Sequence, residues 1–411
     1  MPFFLDRDII KKVGSKEFEP IFREGRKNFS PCISKFYLKE DFPLKKETNM
    51  NLEKERNYGV DALRLLAMFF IVTLHLLTQG CIINQASGAP RALALCMEAV
   101  VFCAVDCYAI ISGFVGYSDE EKPYRYHKFL SFWLQVFCYS FFMTLVGFLI
   151  KSPDFTLKVL ILSVFPVSNG TYWYVTQYAA LFFMIPWLNK LIRACDKKQT
   201  EIFVVVLLIL FSFFTLFLDP FKTYYGFSFL WLAVLYVVGA WMKKYDIPSK
   251  IKPLFAIVGI ILCCILLWSL RCFLPSWKGT PLIVCYASPV VTFIAVSYLA
   301  LFAKLKVNRF FKKTIAFFAP CSFGVYLVHE HPLFLAFLLS GKFAWIATQP
   351  VWLVIPEILA CSFVIFLVCL LIDRVRHFFF RLLRVDRLID RLSQAVLKKF
   401  KKREVSNETV E

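Results

Sequence analysis

Apolar runs long enough to cross a bilayer recur throughout this chain of 411 residues, and they constrain its fold more than any other feature. A helix of about 18 or more apolar residues spans a hydrocarbon core roughly 30 Å thick. The composition agrees, since 59% of the residues are hydrophobic and 47 are Phe. That is too apolar for a soluble protein of this length. The sequence therefore predicts an all-α, polytopic membrane protein.

The pattern predicts about ten transmembrane helices in one bundle. Loops rich in Lys and Arg alternate along the chain with loops poor in them, which supports this count; the loop with Lys197 and Lys198 is rich, and the loop with Lys342 is poor. Rich loops are expected on the cytoplasmic side, which places both termini there. The apolar segment 157–167 is too short to cross and is predicted to be re-entrant or interfacial. The predicted spans are 59–79, 92–117, 128–150, 171–192, 201–219, 227–243, 253–274, 281–303, 314–340 and 350–372.

Polar segments flank the predicted transmembrane domain, which covers residues 58–373. Residues 1–57 form a predicted cytoplasmic tail, in which 1–49 are either an extension upstream of a start at Met50 or a short disordered tail. Residues 374–411 form a basic tail, and its segment 374–403 predicts an amphipathic helix on the cytoplasmic face. The net charge of +19 lies in short clusters between apolar runs. That distribution is typical of topology signals and anionic lipid, so we expect no nucleic-acid partner.

Three ionisable residues, Asp61, Arg64 and His75, share one face of the first predicted span. Arg64 and His75 are eleven residues apart, about 16 Å along a helix axis, with Arg64 toward the cytoplasm. Imidazole suits a general base, and a buried guanidinium suits phosphate. The pair suggests a phosphate-bearing donor inside and an acceptor outside. Two alternatives stay open: Asp61 as a helix-start residue that offsets Arg64, and Arg64 reaching toward headgroups.

Polar residues in other spans lie at matching depths. Glu98 is predicted near the level of His75, where its carboxylate would fix the imidazole tautomer, and Asp106 is predicted closer to Arg64. Glu98 as a structural pair and His329 as a cap of a kinked helix remain alternatives. No Cys pattern has zinc-ligand spacing, so we expect no metal. Trp173, Tyr174 and Gln177 are predicted near the outer end of the fourth span. In the ninth span Ser322, Tyr326 and His329 share a face, and His329, Glu330 and His331 lie at roughly the depth of His75.

Four motifs resemble the acyltransferase-3 family, the membrane-bound O-acyltransferases of bacterial surface polysaccharides. The stretch RNYGVDALRLLAMFFIVTLHLLTQG resembles the family's first span, whose hallmark is an Arg and a His separated by ten residues; Arg64 and His75 meet it. CYAIISGFVGY at 107–117 is similar to the motif that ends the second span. GTYWYVTQYAALFFMIPWLNKLI at 170–192 resembles the Trp-Tyr span, and SFGVYLVHEHPL at 322–333 the late Tyr-Leu-X-His element. Together they cover nearly all of residues 56–373 in the family's order.

The resemblance implies acyl-CoA, with acetyl-CoA expected, as a cytoplasmic co-substrate, and no bound cofactor. It implies a hydroxyl of a glycan or lipid-linked sugar as acceptor. His75 would be the base or a transient acyl carrier, and Arg64 would contact donor phosphates. The loop KPYRYHKFLSFWLQ lacks the Arg-X-X-Arg pair of many members. The predicted site comprises His75, Arg64, Glu98 and Asp61 for catalysis; Arg64, Ser112, Arg125 and Lys128 for the donor; and Trp173, Tyr174, Gln177, Tyr326 and His329 for the acceptor.

Two other classes of function compete with acyl transfer. One is a transporter or flippase for a glycan intermediate, and the other is a non-catalytic subunit of a polysaccharide export complex. The internal repeats that mark many transporters are not evident in the sequence. Only acyl transfer needs an imidazole about 16 Å above a cytoplasmic Arg. We therefore expect a multi-pass O-acyltransferase of the plasma (inner) membrane.

Overall fold

The computed structural model describes residues 56–121, 126–277 and 279–395, and all the regular structure within them is helical. The predicted segment 1–49 lies outside these residues. Single-turn 3-10 segments and one π turn connect several of the helices. The α-helices are α1 Tyr58–Thr78, α2 Ile82–Gln85, α3 Gly88–Val101, α4 Ala104–Gly116, α5 Lys128–Leu149, α6 Leu157–Leu162, α7 Trp173–Ala194, α8 Lys197–Phe211, α9 Phe229–Lys244, α10 Ile247–Lys250, α11 Pro253–Phe273, α12 Thr280–Ile283, α13 Pro289–Ala303, α14 Arg309–Phe318, α15 Ser322–His329, α16 Pro332–Phe334 and α17 Val351–Leu382.

Six helical segments of the described residues are long and apolar enough to cross a membrane, and a bent seventh is added if α14–α15 and the segment from Pro332 count as one. The predicted number of ten is therefore not confirmed. Two of the predicted spans are too short: α9 and α13 have only 16 and 15 residues, which is about 22 to 24 Å of helix. The apolar side chains exposed on the long helices are those expected to face lipid.

Helix α1 lies in the interior of the bundle. The apolar 18-residue stretch of the segment that contains α1 is 67% buried, whereas the corresponding stretches of α11 and α17 are 17% and 22% buried. The N-terminus of α1 is capped by the Asn57 side chain, which accepts a hydrogen bond from the Val60 amide. An interior helix is therefore the one that carries Arg64 and His75.

Glycines allow α4 and α9 to cross at close range. A Cβ added to Gly113 would lie 1.9 Å from the Tyr236 carbonyl oxygen, and one added to Gly239 would lie 2.1 Å from the Ile110 carbonyl oxygen. Small residues permit such backbone approach between membrane helices. Gly113 of the SGF motif therefore has a packing role.

The predicted span 314–340 is not one helix. Helix α15 ends at His329, and the chain bends by 62° before the segment that starts at Pro332. Pro332 has no amide hydrogen, and the His331 side chain accepts the Leu333 amide to start the next turn. The break places the side chains of His329 and Glu330 at the end of a helix in the interior of the bundle.

The last helix is longer than predicted. Val351–Leu382 passes the expected end at residue 372 by ten residues, and Phe378, Phe379 and Leu382 on its final turns are exposed. Residues 385–395 are helical again, with Leu388 and Leu392 exposed. The remainder of the predicted amphipathic helix lies outside the described residues. The predicted piece at 157–167 holds the six-residue helix α6, too short to cross.

Candidate active site

Three side chains from two distant parts of the chain meet at the outer part of α1. The His75 Nδ1 atom lies 2.9 Å from His329 Nε2 and 2.9 Å from Glu330 Oε1. His329 is fully buried, and the side chains of His75 and Glu330 are 16% and 15% exposed. Gln79, one turn after His75, donates a hydrogen bond from Nε2 to Glu330 Oε1 at 2.9 Å. We call His75, His329 and Glu330 the histidine cluster.

The hydrogen-bond network fixes which ring nitrogen of His75 carries the hydrogen. His329 Nδ1 lies 2.6 Å from the Val325 carbonyl oxygen, which only accepts, so Nδ1 of His329 is the donor. The Nε2 atom of a neutral His329 is then an acceptor. His75 Nδ1 faces this acceptor and the Glu330 carboxylate, so it carries the hydrogen. The lone pair of His75 therefore lies on Nε2, which has no hydrogen-bond partner in the described part of the chain.

His75 is one of the residues that line a small cavity. Its volume of about 20 Å³ is enough for roughly one water molecule. The α1 residues Met68 and Ile71, which lie between Arg64 and His75, contribute to it. The hydroxyls of two lining residues, Tyr174 and Tyr326, have no hydrogen-bond partner among the residues described. The lining residues are Met68, Ile71, His75, Val105, Tyr108, Trp173, Tyr174, Tyr286, Phe323 and Tyr326.

Arg64 lies at the other pole of α1. Its guanidinium NH1 donates to Asp61 Oδ1 at 2.9 Å, and its side chain is 27% exposed. Asp61 thus offsets the charge of Arg64, as one of the two open alternatives predicted. Tyr108 and Tyr178 lie within the electrostatic reach of Arg64, and Tyr178 contacts the Ser112 hydroxyl. Tyr108 also lines the cavity, so an aromatic residue adjoins both the cavity and the surroundings of Arg64.

Glu98 does not reach His75. Its carboxylate accepts two hydrogen bonds from Arg271 Nε and NH2, both at 2.9 Å, and so ties α3 to α11. The structure places Glu330 where the sequence had suggested Glu98. Asp106 is fully buried and accepts a hydrogen bond from Trp231 Nε1 at 3.2 Å.

The other predicted residues fall into three groups. Trp173, Tyr174 and Tyr326 line the cavity, and His329 belongs to the histidine cluster. Gln177 accepts the Phe229 amide and so holds the start of α9. Lys128 is exposed at the start of α5, and Arg125 lies outside the described residues. The donor-binding role of Arg64, Ser112, Arg125 and Lys128 therefore stays a prediction.

The predicted site left out two contributors, of which Glu330 had been named only as a candidate by its depth. Glu330 follows His329 directly, and its place in the run His-Glu-His was the signal that could have singled it out. Tyr286 lines the cavity from the segment before α13, and nothing in the local sequence marks it. The third residue of the run, His331, is structural, since its Nδ1 accepts the Leu333 amide and its Nε2 lies 3.2 Å from Thr144 Oγ1.

The ligand atoms of the histidine cluster all lie within 4.8 Å of one another and could hold a metal ion. His329 also has the arrangement common in metal-bound histidines, a ring N–H donated to a backbone carbonyl. The mutual hydrogen bonds account for the same geometry without a metal. The expectation of no metal stays a prediction.

Comparison with family models shows what the fold and cluster belong to. The model described as "Acyltransferase domain" of the acyltransferase-3 family matches residues 57–374. The match covers far more than half of the chain, so the chain belongs to the acyltransferase-3 family, and it is a membrane acyltransferase. Searches of curated proteins and of solved structures found no match.

Proposed function

We propose that this protein is an O-acyltransferase that moves a short acyl group from cytoplasmic acyl-CoA to a hydroxyl on the other side of the membrane. We expect the acyl group to be acetyl. The acceptor class we propose is a surface polysaccharide or its lipid-linked precursor. The proposal includes the plasma (inner) membrane as the location and the cytoplasm as the side of both termini. It rests on the acyltransferase family match together with the geometry at His75.

The observation that carries the proposal is the fixed tautomer of His75. Its Nδ1–H is held by His329 and Glu330, so the basic Nε2 is left without a partner on a residue that lines a cavity. A positioned neutral imidazole is the usual group for removing a proton from a hydroxyl. The Glu330 carboxylate stabilises the imidazolium that forms when Nε2 takes that proton, as the acid of a catalytic triad does.

The polarity of α1 suggests where the donor binds. Arg64, about 16 Å below His75 on the cytoplasmic side, is half-buried and can form bidentate contacts with phosphate. A coenzyme A thioester has its phosphates at one end and its acyl group at the end of a long flexible arm. Phosphates near Arg64 would therefore direct the acyl group along α1 toward the cavity. Because the cavity holds only about one water, binding requires its aromatic side chains to move apart.

Glycan mass analysis tests the proposal against the alternative of a flippase. Surface and lipid-linked glycans would be compared between cells with the gene and cells without it. We expect the glycan to persist and an acyl mass to disappear from it when the gene is deleted. Loss of the glycan itself, or identical acylation in both cells, would contradict the proposal.

A further inference from the structure

Two tyrosines beside His75 have buried hydroxyls without hydrogen-bond partners. Tyr174 and Tyr326 are 8% and 5% exposed, and neither hydroxyl finds a partner among the described residues. The backbone amide of Tyr174 approaches the Tyr326 hydroxyl, yet an amide can only donate, so the hydroxyl hydrogen of Tyr326 still has no acceptor. Both residues line the cavity that His75 lines. Two hydrogen-bond donors are therefore unused at the same place.

Three other buried tyrosines of the bundle have hydrogen-bonded hydroxyls. The Tyr172 hydroxyl donates to the Leu327 carbonyl oxygen at 2.8 Å, that of Tyr139 to Asp373 Oδ1 at 2.7 Å, and that of Tyr236 to Asn189 Oδ1 at 3.0 Å. An unpaired buried hydroxyl costs stability, so its presence needs a reason. A ligand that accepts hydrogen bonds from both hydroxyls would supply one.

The position of Tyr174 and Tyr326 relative to His75 indicates the chemical class of ligand that the two hydroxyls would bind. Tyr326 lies one turn before His329 on α15, with ring centroids 6.2 Å apart, and His329 bonds to His75. The rings of Tyr174 and Tyr326 are 6.2 Å apart in an edge-to-face arrangement. Tyr174 is also the second residue of α7, whose start has no side-chain cap, so the positive end of this helix adjoins the cavity that Trp173 and Tyr174 line. Every feature favours a partial negative charge close to the base.

We infer that the hydroxyls of Tyr174 and Tyr326 bind the carbonyl oxygen of the acyl group and stabilise the oxyanion that forms on it. This inference rests on the proposed O-acyl transfer. The acceptor hydroxyl oxygen bonds to the acyl carbon while His75 Nε2 takes its proton, and the carbonyl electron pair moves onto oxygen. The C=O bond then re-forms, the C–S bond breaks, and the thiolate leaves with the proton returned from His75. Preorganised donors aimed at such an oxygen are worth on the order of 10² to 10³ in rate.

Phenylalanine substitutions test the role, because they remove only the oxygen. Tyr174→Phe, Tyr326→Phe and the double variant would be made in the full-length protein, with Tyr172→Phe as the matched control. Glycan acylation per molecule of membrane protein and thermal unfolding in detergent would be measured for each. We expect each single variant to lose at least about tenfold in acylation and to unfold at the wild-type temperature or above, since an unpaired buried hydroxyl is gone. Tyr172→Phe should unfold at a lower temperature and acylate normally per molecule.

His75→Ala separates the two ways in which this experiment can fail. If His75→Ala is inactive while both phenylalanine variants acylate at the wild-type rate, the oxyanion role is wrong and the proposed function stands. If His75→Ala itself acylates normally, the proposed base is wrong and the tyrosine role is overturned with it. Lower unfolding temperatures for Tyr174→Phe and Tyr326→Phe, with normal acylation per molecule, would make the tyrosines structural and also overturn the inference.

Discussion

Two of the buried charged clusters in the bundle differ in how completely their polar atoms are used. In the first, Asp373 is fully buried and accepts hydrogen bonds from the Tyr139 hydroxyl at 2.7 Å, from Arg376 Nε and NH2 at 2.7 and 2.9 Å, and from Gln135 at 3.3 Å. A groove of about 300 Å³ lies beside this cluster, and apart from Tyr139 and Arg376 its lining is apolar. In the second, the histidine cluster, His75 keeps one ring nitrogen unused beside a cavity.

The difference separates a structural role at Asp373 from the catalytic role that we propose for His75. Asp373 and Arg376 neutralise each other, and their hydrogen bonds hold α5 against α17, so removing one partner should affect folding. The histidine cluster holds one imidazole in a single orientation and leaves its Nε2 atom without a partner among the described residues, on a side chain that lines a cavity. A buried charge by itself therefore says little about function in this protein, whereas an unused donor or acceptor beside a cavity says much more.

Among the variants that keep His75, the largest effect is expected for Glu330→Gln. The amide can still accept from Gln79 and His75, but it no longer stabilises an imidazolium at His75. We expect acylation per molecule to fall by about 10² to 10⁴, with normal abundance in the membrane. Glycan mass analysis and quantitative blotting of the same cells measure both quantities. Normal acylation in this variant would show that the carboxylate has no part in the chemistry.

Asp373→Asn should show the opposite behaviour. It leaves Arg376 buried without its full charge partner, and breaking a buried ion pair typically costs about 3–5 kcal/mol. We expect strongly reduced abundance or a lower unfolding temperature, with the surviving molecules acylating normally. Arg376 is 13% exposed on its side chain, so solvent gives it little relief. A stable variant that fails to acylate would remove the distinction between the two clusters.

A smaller effect is expected for Arg64→Lys. Lysine keeps the charge beside Asp61 but loses the planar fork that suits phosphate. The expected result is roughly a tenfold higher apparent KM for acetyl-CoA in isolated membranes, with insertion unchanged. An unchanged KM would assign Arg64 to the Asp61 pair alone.

The smallest effect is expected for deletion of residues 1–49, which contain no apolar run of membrane length and none of the four motifs. Acylation and membrane insertion should equal those of the full chain. A truncated protein that inserts normally but does not acylate would give this segment a role in function.

The sequence predicted the position of polar residues along their helices well, but it predicted poorly which neighbouring side chain each one faces. Spacing along α1 placed Arg64 and His75 at opposite poles of one face, and the helical membrane fold followed from hydropathy. Glu98 and Glu330 were both reasonable partners for His75 at that depth. Depth along a helix leaves the rotation and the neighbours of each helix unknown, so the structure was needed to place Glu98 on Arg271 and Glu330 on His75.

The remaining differences have local causes. The break after His329 depends on Pro332 and on the His331 side chain, and a hydropathy window averages over both. The unused hydroxyls of Tyr174 and Tyr326 depend on the packing of α1, α7 and α15, which are distant in sequence. Such contacts form only after packing, so no spacing rule predicts them.

The most direct test of the account compares His75→Ala with His331→Ala. Both remove an imidazole from the interior, but His331 is bonded through both ring nitrogens, whereas His75 keeps Nε2 unused. Glycan acylation per molecule of membrane protein should vanish in His75→Ala with abundance near normal, while His331→Ala should lower abundance and keep acylation per molecule. Wild-type acylation per molecule in His75→Ala would contradict the central claim that His75 is the base.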